Sequence, residues 1–144
     1  MTIIENKTFD EERALYGLCD ATARNLTFEG PADGESAFKE ARNIIIENCK
    51  FALRYPIWHT HGFELCDSTM TETCRASLWY CSNGIIKNTT CTGVKALREC
   101  DKVKIVDSDF ASQEFGWRCR DIEAVGSKFV SEYIFFGSQR LTLD

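Results

Sequence analysis

Apolar and polar positions alternate over short stretches of this chain, and the stretches recur every 19 residues. Ala96–Phe110 laid over Phe115–Phe129 puts Cys100 on Cys119, Val103 on Ile122, Val106 on Val125, Ser108 on Ser127 and Phe110 on Phe129. Carried both ways, one apolar mark reads Leu26, Ile44, Phe63, Gly84, Val103, Ile122 and Leu141, in steps of 18, 19, 21, 19, 19 and 19. Two residues on stand Phe28, Ile46, Leu65, Ile86, Ile105, Ala124 and Leu143. Seven on stand Phe51, Met70, Cys91, Phe110 and Phe129, and six before stand Phe38, Ile57, Leu78, Leu97, Gly116 and Phe135. A fixed short period is the mark of stacked repeats.

Such a period is too short for a pair of packed helices. The marks two apart, Val103/Ile105 and Ile122/Ala124, predict short strands. A leucine-rich repeat would need leucines and an asparagine at fixed places, which are absent. One turn of a parallel β-helix fits, with three strands and three bends per coil. The crossover rule makes it right-handed. The reading is therefore all-β: a right-handed parallel β-helix of about six to seven coils over residues 26–144, with residues 1–25 as N-terminal cap and first strand. The insertions Pro31–Glu35 and Thr71–Arg75 fall between strands. The small column Ala41, Thr60, Cys81, Cys100, Cys119, Ser138 predicts an inward corner. Asn48, Asp67, Asn88, Asp107 and Gly126 predict a second bend, because Asn, Asp and Gly accept left-handed backbone. The last coil stops mid-turn at Asp144. An open apolar end is predicted there, to be covered by end-on stacking in a homo-oligomer or by further coils of a longer protein.

Composition narrows the setting. A length of 144 residues fits one domain, and the net charge of −5 argues against nucleic acid and an anionic membrane surface. No apolar run approaches the roughly 20 residues of a transmembrane span, and Met1–Lys7 lacks the apolar core of a signal peptide. The Asn-X-Thr triplets at Asn6, Asn25 and Asn88 therefore carry no weight as glycosylation sites. The expected setting is cytoplasmic. The eight cysteines include no Cys-X-X-Cys pair, and Cys81, Cys100 and Cys119 share one column, so they read as small buried free thiols rather than bridges or ligands.

Several stretches carry a resemblance: Glu12–Tyr16, Gly30–Ala37, Met70–Ala76, Lys95–Cys100 and Glu114–Trp117. Together they resemble a bacterial family catalogued as domain of unknown function 3737. The resemblance covers nearly the whole chain, inserted loops included. It implies a single-stranded right-handed β-helix and brings no activity, cofactor or site residue with it.

Candidate chemistry lies in columns that the ladder does not explain. One residue beyond the Ile57/Leu78/Leu97 row, the outward positions are Lys39, Trp58, Trp79, Arg98, Trp117 and Phe136. Arg98 between Trp79 and Trp117 is placed to stack on either ring. The next column, Glu40, His59, Tyr80, Glu99, Arg118 and Gly137, would supply a polar rim. Such a strip suits a contact surface or a carbohydrate ligand; a loop, cap or partner covering it is the bland alternative. His59 and His61, two apart on a strand, could share a metal with Glu64 or Cys66, but satisfied histidines beside a corner are the better reading, and no metal or cofactor is expected. Glu99 and Glu114 are the one carboxylate pair near the strip for glycosidase chemistry. Two functions follow. One is a non-catalytic binding or scaffolding module using Trp58, Trp79, Arg98 and Trp117. The other is a carbohydrate-active enzyme, lyase or glycoside hydrolase, using His59, Tyr80, Glu99 and Arg118.

Overall fold

The computed structural model describes residues 1–144 and contains strands and turns but no helix. The chain winds as a parallel β-helix of about seven stacked coils, each with three strand positions. The first sheet holds the long strands, among them Arg42–Glu47, His61–Cys66, Ser82–Lys87, Asp101–Val106 and Arg120–Val125. The second holds short strands such as Lys50–Phe51, Thr69–Met70 and Thr90–Cys91. The third is built from Ile57–Trp58, Leu78–Trp79 and Leu97–Arg98. Burial alternates along each long strand, so Val103 and Ile105 point inward while Lys104 faces solvent. Val103 lies beside Ile122, and Leu97 beside Gly116 follows from the Arg98–Trp117 bridge. The 19-residue period is thus the rung spacing.

The N-terminal register differs from the sequence reading. Ile44 and Ile46 pair with Ala21 and Ala23, not with Leu26 and Phe28. Phe28 pairs with Phe51 in the second sheet, and the step between these two coils is 23 residues. Alanines are weak apolar marks, so two strong ones one bend further on drew the alignment. Residues 1–25, read as N-terminal cap and first strand, include a strand that pairs in the ladder as a rung of its own. Thr2–Phe9 runs parallel to Cys19–Phe28, with Lys7 beside Leu26 and Phe9 beside Phe28.

The inward columns form one core of 31 buried residues. Phe28 and Phe51 stack with centroids 4.9 Å apart and planes 2° from parallel. Gly84 is an inward mark with no side chain, and the ring of Phe63 from the preceding coil fills its place. A Cβ at 84 would run into that ring.

The bends repeat as faithfully as the strands. Asn6, Asn25, Asn48, Asp67, Asn88, Asp107 and Gly126 all have left-handed backbone, with φ between 47° and 60°. Amides bridge the rungs: Asn48 donates to Asn25 at 2.7 Å and Asn88 to Asp67 at 2.8 Å. The three Asn-X-Thr asparagines are therefore bend residues. Beside them the hydroxyls of Ser68, Ser108 and Ser127 each accept a backbone N–H from the preceding rung. No helix is long and apolar enough to cross a membrane.

Candidate functional site

The third sheet positions the strip. Its strands are two residues long, so an inward residue (Ile57, Leu78, Leu97) is followed at once by an outward one and then by the corner. Parallel pairing sets Trp58 beside Trp79 and Arg98 beside both Trp79 and Trp117. The result is one continuous column. The Lys39 ammonium lies 4.3 Å from the Trp58 ring centroid, and Trp58 stacks on Trp79 at 5.2 Å, 8° from parallel. The Arg98 guanidinium lies 5.4 Å from Trp79 and 5.8 Å from Trp117, which stacks on Phe136 at 4.7 Å.

This geometry decides what the indoles can offer. Near-parallel rings stacked at the rung spacing cover one another's faces. Lys39 to Trp117 are half-buried; Phe136, last in the column, is 59 % exposed. The N–H groups of Trp58 and Trp79 are buried without an acceptor, so the parts of these indoles left in solvent are carbon edges. Tyr55, which the column rule did not flag, packs against Trp58 at 6.1 Å and Trp79 at 6.0 Å. It sits in the bend before the strip rather than in the strip. An aromatic three residues before Trp58 was the available signal.

The next column is the corner between the third and first sheets. Glu40, His59, Tyr80, Glu99, Arg118 and Gly137 all have φ between 49° and 68°. Left-handed backbone is uncommon for His, Tyr, Glu and Arg and can mark a functional residue. Here every rung repeats it, so the corner imposes it. The His59 and Tyr80 rings stack at 4.9 Å, and Glu99 lies 3.7 Å from Arg98.

Just past the corner, the small residues turn inward and satisfy the previous rung. Thr60 donates to the Phe38 carbonyl at 2.7 Å, Cys81 to Ile57 at 3.3 Å, Cys100 to Leu78 at 3.4 Å, and Ser138 to Gly116. Thiol and hydroxyl are interchangeable donors in this column. Burial pushes the Cys100 thiol well up, and contact with Cys100 followed by burial raises Cys119. All eight cysteines are unbridged, and Cys19 alone is exposed.

Beyond the small column the chain points outward again, at Arg42, His61, Ser82, Asp101, Arg120 and Gln139. The corner thus has two polar walls, of which the sequence reading named only the first. Polar residues two beyond the corner column were the signal for the second. His59 and His61 straddle the corner instead of sharing a strand face. His61 Nδ1 is 2.6 Å from Ser82 Oγ, and burial, then Arg42 and His59, hold its pKa below the ordinary histidine value. Glu64 and Cys66 continue along the His61 strand on the outer face of the first sheet. No group of three or more His, Cys, Asp or Glu side chains is arranged to hold a metal ion. Between the walls runs a groove of about 360 Å³ lined by Tyr80, Glu99, Cys100, Arg118, Arg120, Gly137 and Gln139.

A family model described as a protein of unknown function, DUF3737, matches residues 2–144. The chain belongs to the DUF3737 family. No curated protein and no solved structure is significantly similar to it. In this DUF3737 chain two surface features stand apart from the ladder, the half-buried stacked strip and the corner groove.

Proposed function

We propose that this DUF3737 chain is a non-catalytic binding or scaffolding module, with the Lys39–Phe136 column as the spine of its contact surface. The observation that carries this reading is the near-parallel Trp58–Trp79 stack, 5.2 Å apart, continued by cations. Sugar rings bind aromatic platforms through open π faces, and here the ladder occupies the faces. A rigid rib of carbon edges between cations suits a protein partner, since aromatics and Arg anchor interfaces at little entropy cost.

The second reading is a carbohydrate-active enzyme working from the corner with His59, Tyr80, Glu99 and Arg118. The concavity between the two corner walls supports it.

Titration of the folded chain with neutral oligosaccharides, followed by tryptophan emission and by release of reducing ends, separates the two. The module reading expects neither a spectral change nor turnover. Release of reducing ends that is lost in Glu99→Gln would contradict it, whereas a saturable shift without turnover, lost in Trp79→Ala, would keep the module and make its ligand a sugar.

A further inference from the structure

The corner groove contains a feature that neither the ladder nor the spine uses. Arg118 and Arg120 stand on opposite walls of one rung, two residues apart, with buried Cys119 between them. In other columns of the helix, stacking brings opposite charges into close ion pairs: Arg24 with Glu5 at 2.6 Å, Lys50 with Glu29 at 2.9 Å and Arg140 with Asp121 at 2.6 Å. Arg118 has no carboxylate partner. Its nearest aromatic contact is the Trp117 ring, at 5.9 Å. Arg120 reaches Asp101 only at 4.0 Å, the outer limit of an ion pair. Glu99, the one acid in the groove lining, lies against Arg98.

Gly137 keeps the next rung open beside these two cations. A side chain there would crowd the Arg118 stem, since even a Cβ would lie 3.3 Å from its Cγ. Glu99 and Asp101 are the acids of the preceding rung beside these guanidiniums, but Glu99 is already held by Arg98 and Asp101 is reached only at the ion-pair limit, so the two forks that line this cleft keep donors free for one planar anion. The rest of the lining adds neutral and acceptor groups, the Tyr80 hydroxyl, the Gln139 amide and the Glu99 carboxylate, which suit the hydroxyls around such an anion.

We propose that this groove binds a sugar acid, its carboxylate held between Arg118 and Arg120 and its ring hydroxyls by Tyr80, Gln139 and Glu99. The site goes beyond the module reading and does not depend on what the spine contacts.

The test is calorimetric titration of the intact 144-residue chain with glucuronate, glucose and inorganic sulfate in parallel. Glucuronate should bind, more weakly as salt is raised, and glucose should not. Arg118→Gln and Arg120→Gln should each weaken glucuronate about tenfold or more. Both positions are exposed, so their melting curves should match wild type. Glucuronate that fails to bind wild type, or binds both variants as tightly as wild type, overturns the site. Sulfate bound as tightly as glucuronate overturns its assignment to a sugar.

Discussion

A corner residue such as Tyr80 or Glu99 shows how little freedom a single position has in this fold. Its backbone is left-handed because the coil must turn there, and its side chain points outward because the next residue must point in. That inward residue is a donor in most coils, which explains Cys81, Cys100 and Cys119 without invoking reactivity. Native protein treated with an aromatic disulfide reagent should therefore lose one thiol quickly, Cys19, and all eight only after denaturation. Fast modification of three or more would show the column to be open. His61 gives a second residue-scale prediction. Burial first, then Arg42 and His59, hold its folded pKa below the ordinary value, so the unfolded chain binds the proton first as pH falls. Stability should be full above about pH 6.5, decline as pH drops below that value, and level off once the folded pKa is passed. Urea midpoints between about pH 7.5 and 5.5 should show this slope in wild type and a shallower one in His61→Gln. Equal slopes would remove His61 from the account.

At the level of the coil, one strand's side chain completes another's. Phe63 fills the space over Gly84, so Gly84→Val should cost on the order of 2–3 kcal/mol by overpacking. Adding Phe63→Val should recover much of that loss, and a double-mutant cycle in urea measures the coupling. Additive losses would mean the ring does not occupy that space. The same pair shows what was legible beforehand. Val103 beside Ile122 could be read because both are strong β-branched marks at one offset. Gly84 could be placed in its column, but not the reason a glycine is tolerated there. The N-terminal rung was misread because Ala21 and Ala23 carry little hydrophobic signal, whereas Leu26 and Phe28 carry much. The order of the strip from Lys39 to Phe136 was legible from spacing alone. Whether its ring faces are free was not, since side-chain rotation decides that and every parallel sheet has the same spacing. The second groove wall went unread because its residues, Arg120 and Gln139 among them, look like any outward strand position.

Across the whole molecule, the spine runs along the helix from Lys39 to Phe136, and Trp79 is its centre, with Trp58 on one face, Arg98 on the other and Tyr55 at its side. Urea unfolding of Trp79→Ala beside wild type tests the spine most directly. If the indoles hold the third sheet together, the substitution should remove about 2–3 kcal/mol of stability, from lost stacking, cation–π contact and burial. A loss within about 0.5 kcal/mol, the range of an ordinary surface substitution, would mean that Trp79 supports nothing and that its faces are free for a ligand.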